Sequence, residues 1–232
     1  MNIRVHFFFF LWHKLACSKK HQKCFSSDNW VKLADGQRQN IGQLQPGEKI
    51  LTYDSSNFLY SEMILMLHKN TRNEALFYTL QTKSNHTISL TGEHLIAVAT
   101  EEGSMKYVAT KHVRTNRDSL YVIAANGMLI RSPVIQVTYE IKTGYAAPLT
   151  MTGTLFVNDV LASVFAHVHS HTAAQVAMTP VRWYYTGSKL MSLFSSNENK
   201  QSEDIHDGMH WFAQAMFNYA LQFYPSALDF EA

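Results

Sequence analysis

HTISLTGEHLIAVAT, residues 86–100, is the stretch on which the fold turns. Two short runs rich in Ile, Leu, Thr and Val flank the polar tetrapeptide Thr91-Gly92-Glu93-His94, which reads as strand, tight turn, strand. The same grammar extends in both directions. Asp35-Gly36, Pro46-Gly47, Asp54-Ser55-Ser56-Asn57 and Asn126-Gly127 are turn signals. Between them, residues 30–33, 49–53, 76–81, 86–90, 95–100, 120–124 and 134–141 predict strands. Asp35-Gly36 and Asn126-Gly127 can supply the positive φ angles that tight hairpins need. The chain therefore reads as all-β from about residue 29 to about residue 145.

After about Thr154 the pattern changes. Residues 155–168 form a long apolar stretch with few turn residues, which predicts a helical or mixed annex. The polar tract SSNENKQSED, residues 195–204, has the composition of a linker. Beyond it, Met209, Phe212, Met216, Ala220 and Phe223 recur at helical spacing opposite His210, Gln214, Asn218 and Gln222, so a helix is expected over 208–224, ended by Pro225. Its broad apolar face suits packing on the β-domain or contact with lipid.

Composition narrows the function classes. The 232 residues are 46% hydrophobic and 16% charged with a net charge of +2, and the basic residues are scattered apart from Lys19, Lys20 and Lys23. No nucleic-acid footprint is visible, and there is enough apolar material for one ordinary core. Residues 1–20 resemble a truncated secretory signal, with Arg4 ahead of the apolar residues 7–12, but His6, His13 and Lys14 interrupt it. That run is far below the roughly 20 apolar residues of a spanning helix. The two cysteines, Cys17 and Cys24, are too few for a disulfide scaffold.

Cys24 stands between a basic lead and the first strand of the β-domain, with Lys23 before it and His21 near it, a setting that favours thiolate. Acyl transfer from an amide to a thiol needs a donor to polarise the carbonyl and an acid to protonate the departing nitrogen. Thr91 and His94, three residues apart in one turn, offer those two groups. The plain alternative is a turn threonine and a surface histidine. His167, His169 and His171 raise a metal hypothesis, since the first and third share a helical face, but no motif supplies a third ligand and solvated histidines are the default reading.

A set of segments in fixed order carries a resemblance. Cys24-Phe25, Tyr60-Ser61-Glu62, Thr91-Gly92-Glu93-His94-Leu95, Ala147-Pro148-Leu149-Thr150, Gly153-Thr154, Val160-Leu161-Ala162-Ser163, Ala177-Met178-Thr179-Pro180 and Gly208-Met209-His210-Trp211-Phe212 resemble the C-terminal autoprocessing domain of hedgehog proteins, the intein-like Hint domain. The resemblance covers nearly everything after residue 23. It implies an all-β, pseudo-symmetric Hint disc over 24–160 and a sterol-recognition, membrane-associating region with a small helical annex over 161–232, with a linker over 195–207. Residues 1–23 would be the lead.

By the same resemblance, Cys24 attacks the carbonyl of residue 23 to give a thioester, His94 protonates the scissile nitrogen and Thr91 supports that step. The 3β-hydroxyl of cholesterol then displaces the thiol. Cholesterol is an acyl-accepting substrate, and no cofactor or metal is implied. The other implied partners are the chain's own upstream polypeptide and a membrane surface, in the endoplasmic reticulum of the secretory pathway and in secreted cell-cell signalling. With only 23 residues ahead of Cys24, the chain is expected to be a fragment or to release a short peptide. It ends ALDFEA, without the terminal His-Asn pair of inteins, so transfer or hydrolysis is expected over splicing.

Three positions depart from the family. Lys23 replaces the usual glycine before the nucleophile. His68 stands where the family has the aspartate assigned to activating the sterol hydroxyl. It can serve as the base in that aspartate's place, or it can be an exposed loop residue. Val164 replaces a second cysteine. Three readings follow: transfer to sterol, transfer of the thioester to water, and a silent Hint module that binds membrane or a partner. The joint presence of Thr91 and His94 argues against the third.

Overall fold

The computed structural model describes residues 24–54, 57–166, 171–194 and 208–209. The strands are β1 Phe25–Ser26, β2 Trp30–Lys32, β3 Arg38–Asn40, β4 Lys49–Asp54, β5 Asn57–Thr82, β6 Thr87–Leu90, β7 His94–Ala99, β8 Met105–Ala109, β9 Ser119–Ile123, β10 Leu129–Thr150, β11 Thr154–Val157, β12 Val160–Ala166 and β13 Gly208–Met209. Two helices, α1 His171–Ala177 and α2 Thr179–Phe194, follow β12. Each of the seven expected strands lies in, or within a residue of, an observed one.

Hydrogen bonding links the strands along the path β11-β12-β7-β9-β10-β1-β6-β5-β13, with β4 on β5 and β8 on β7. β2 and β3 form a separate hairpin. Gly36 at its tip has φ +86°, as the Asp35-Gly36 signal requires.

The long pair β5 and β10 organises the site. They run antiparallel from Val134 opposite Thr82 to Thr150 opposite Met63, with several register shifts. One shift lies between Thr143 and Tyr145. There Gly144 adopts φ +85°, and a Cβ at that position would stand 2.6 Å from Ser27 Oγ. Only glycine lets the bulge form while β1 lies this close. Through it Gly144 accepts a hydrogen bond from the backbone N–H of Ser27 at 3.2 Å, which fixes β1 beside β10.

The annex expected to be helical or mixed after about Thr154 begins with strands. Residues 154–157 and 160–166 are the antiparallel strands β11 and β12. Asn158 and Asp159 have φ of +51° and +62° and make a two-residue hairpin turn. All seven residues of β12 are buried, and a strand covered on both faces shows no alternation that separates it from a buried helix. β12 also spans the expected division between residues 160 and 161, and the helices begin only at His171. α1 and α2 seat Ala174, Met178 and Val181 in the main core with Phe25, Leu90, Ile96 and Phe165.

The helix expected over 208–224 is also corrected at its start, because Gly208 and Met209 pair as a strand with Lys69 and His68. Residues 210–224, the lead 1–23 and the linker 195–207 lie outside the described residues. Among the described residues no helix is long and apolar enough to cross a membrane.

Candidate active site

Cys24 enters the fold just before β1 and is fully buried, packed with Ala75, Phe77, Tyr145 and Ala147. Its main chain is pinned by the turn after β6. The Cys24 N–H donates to Thr91 Oγ1 at 3.0 Å, and the Thr91 N–H donates to the Cys24 carbonyl at 3.1 Å. The turn itself closes by a 3.0 Å bond from the His94 N–H to the Thr91 carbonyl. Gly92 is required inside it, since a Cβ there would lie 2.9 Å from the ring of Tyr78.

The structure shows one contact of the Thr91 side chain with Cys24. Its oxygen accepts from the nitrogen side of Cys24. An acceptor on that N–H raises electron density at the nitrogen, which favours its protonation. The carbonyl of residue 23 lies outside the described residues.

His94 opens β7 and is buried, so the reading of a surface histidine is corrected. Its Nε2 stands 2.8 Å from the carbonyl oxygen of Ser163 on β12. A carbonyl can only accept, so Nε2 carries a proton, and proton exchange by the neutral ring takes place at Nδ1. The ring tilts against Phe25, with centroids 4.2 Å apart. The backbone carbonyl of His94 accepts from the Thr110 hydroxyl at 2.7 Å.

His68 is a strand residue, not an exposed loop residue. It lies in β5 opposite Ala147 on one side and Met209 on the other. Its ring meets Tyr145 edge-on at 5.1 Å, and its Nδ1 is buried with no hydrogen-bond partner among the described residues. β1 pairs Phe25 with Ala146 and Ser26 with Tyr145. Continuing that register by one residue sets Cys24 across from Ala147, hence in one cross-strand row with His68. Residues directly opposite share a face, and the alanine between them is too small to fill the gap. Cys24, just before β1, and His68, in β5, thus flank β10 on opposite sides, about 10 Å between backbones.

Val164 is buried, with its N–H on the Gly153 carbonyl at 2.9 Å. His171 is not solvated, as the default reading of the histidine cluster had it. It stacks on Tyr107 at 4.2 Å and hydrogen-bonds Ser163 Oγ at 3.0 Å. Burial pushes its imidazole down to about 4, with the Arg182 charge adding to the effect and Asp54 opposing it. His167 and His169 lie outside the described residues. Sequence reasoning missed Ser163, Thr110 and Tyr145. Ser163 alone left a signal, as a hydroxyl residue inside an apolar run.

Known proteins complete the comparison. The sequence model of the Hint module family matches residues 13–222. The chain is 29% identical over 201 residues to the Sonic hedgehog protein of Danio rerio, covering 84% of this chain and 48% of that protein. It is 36% identical over 196 residues to Warthog protein 6 of Caenorhabditis elegans, covering 84% and 32%. The chain therefore spans about half, or less, of the length of these relatives. Among solved structures, the Ssp DnaB mini-intein variant M86 matches with a TM-score of 0.52 at 16% identity, covering 65% of this chain and 98% of that one. A DnaB intein from Synechocystis sp. PCC 6803 matches with a TM-score of 0.52 at 14% identity, covering 61% and 98%. At such identities the inteins speak for the fold alone. Sequence and fold agree: the chain belongs to the Hint module family.

Proposed function

We propose that this domain cleaves the peptide bond before Cys24 and passes the upstream acyl group to a sterol. The supporting observation is the paired contact between Cys24 and Thr91, with His94 in the same turn. The Cys24 thiol loses its proton to Nδ1 of His94 as Sγ attacks the carbonyl carbon of Lys23, the Lys23–Cys24 C–N bond breaks, and His94 delivers that proton to the departing nitrogen. A thioester to Lys23 and a free amine on Cys24 result. Holding the thiol against its own backbone carbonyl replaces a bimolecular encounter, a benefit of roughly 7–11 kcal/mol at best.

In the second step the 3β-hydroxyl of cholesterol attacks the thioester carbon, its proton passes to His68, and the Cys24 thiolate leaves. The cross-strand row from Cys24 through Ala147 to His68 supports this reading, since an alcohol can lie over the alanine between base and thioester. The acceptor would come from a membrane surface reached through the region after β12, in the secretory pathway, for a secreted product of cell-cell signalling.

The test is mass spectrometry of a reporter domain fused upstream of residues 18–232, incubated with cholesterol, without it, or with dithiothreitol. A reporter ending at Lys23 and heavier by one sterol is the expected result. Loss of the sterol adduct in His68→Ala, with dithiothreitol cleavage retained, would assign the second step to His68. Release of unmodified reporter in every arm would make water the acceptor, and an intact fusion throughout would make the domain a silent module.

A further inference from the structure

We propose that His171 is a positioning residue for His94, acting through Ser163; the proposal rests on His94 as the acid of the first acyl shift. The Ser163 carbonyl is the acceptor that orients the His94 ring. It is available for that purpose because the ladder breaks there. Ala162 pairs with Ile96 and Ala166 with His94, so four steps along β12 answer two along β7. Residues 163–165 therefore arch away from the ladder, and their carbonyl directions are set by other bonds.

Those bonds are few and specific. The Phe165 N–H donates to Ser163 Oγ at 2.9 Å, and the Val164 N–H donates to the Gly153 carbonyl. Ser163 Oγ, which already accepts from Phe165, also hydrogen-bonds His171 Nδ1 at 3.0 Å. The downward push of burial on its imidazole favours the neutral ring, and in the Nε2–H tautomer of that ring Nδ1 accepts the Ser163 hydroxyl proton. Its ring is itself held by the Tyr107 stack and by Phe165, whose ring centroid is 5.4 Å away. A continuous path thus runs from Tyr107 and His171 to the Ser163 hydroxyl, through one residue of backbone to the Ser163 carbonyl, and on to the His94 ring.

Nothing in the acyl-transfer chemistry otherwise uses His171. It lines a cavity of about 530 Å³ together with Tyr53, Asp54, Tyr107 and Thr154. That space admits a small molecule to the position a truncated side chain would vacate.

The experiment follows dithiothreitol-driven cleavage of the full 232-residue chain carrying an upstream reporter, with melting temperatures beside each rate. His171→Ala is expected to slow cleavage about 10–100-fold, the scale of a misplacement near 1 Å. His171→Asn, which keeps an acceptor near the Nδ1 position, should recover most of the rate, and added imidazole should rescue His171→Ala. Ser163→Ala should slow cleavage equally, and the double variant should be no slower than either single one. A rate within about twofold of wild type in His171→Ala, or multiplicative effects in the double variant, would overturn the proposal. A second readout is independent of cleavage. In a Cys24→Ala background, ¹⁵N NMR of the His94 ring should show loss of the uniform Nε2–H state on His171→Ala. Unchanged shifts reject the coupling, whereas an uncleaved wild-type chain with changed shifts rejects only the autoprocessing reading.

Discussion

The backbone N–H of Cys24 donates to the side-chain oxygen of Thr91 at 3.0 Å, across 67 residues of sequence, in a fully buried setting. The bond ties the amide nitrogen at the proposed scissile position to the turn that carries His94, so nucleophile and acid are held by one structural unit. The reciprocal bond from the Thr91 N–H to the Cys24 carbonyl prevents the two segments from sliding.

Thr91→Val removes that acceptor while keeping the shape of the side chain. The orphaned buried N–H should cost about 1–3 kcal/mol of stability. Dithiothreitol-driven cleavage should fall by about 10²-fold, as expected when a reacting group shifts near 1 Å. Thr91→Ser keeps the oxygen and should retain most of the rate. Gel-based release rates alongside urea unfolding check both halves.

His94→Gln separates orientation from acid chemistry. The glutamine amide can still donate to the Ser163 carbonyl but carries no exchangeable acid proton near neutral pH. Cleavage should drop by about 10²–10⁴-fold, the usual contribution of a positioned acid. The melting temperature should move far less than it does in His94→Ala, which also abandons the carbonyl.

Gly144→Ala tests the bulge that seats β1. The φ of +85° and the 2.6 Å approach to Ser27 Oγ both oppose a methyl group. A loss of about 2 kcal/mol is expected, typical of strain at such a backbone position. Cleavage should slow as well, because Cys24 immediately precedes β1. Calorimetry and the release assay together show whether both effects appear.

The partly buried imidazole of His171 makes stability depend on pH. It titrates at about 4 in the folded chain against 6.5 when unperturbed. Between those values the unfolded chain binds a proton that the folded chain does not, so stability falls as pH drops from about 6.5 toward about 4. Above 6.5 the contribution is fully present. The loss between pH 7.5 and 4.5 should be about 2–3 kcal/mol greater in wild type than in His171→Asn, measured by urea unfolding at both pH values.

The local pattern of residues was enough for the strand-and-turn grammar of 29–145, since alternation, β-branching and Gly-containing turns act over a few neighbours. It was also enough to single out Cys24 and the Thr91-to-His94 turn, whose residue types have few other uses together. The strands β11 and β12 escaped it because both faces are covered, and Asn158-Asp159 is a weak turn signal inside a long apolar run. Which atom of Cys24 meets Thr91, that Ser163 offers its carbonyl to His94, and that His68 shares a row with Cys24 are matters of register between strands far apart in the chain. A hydrogen bond's direction and partner depend on where the whole sheet places two backbones, so only the assembled fold could decide them.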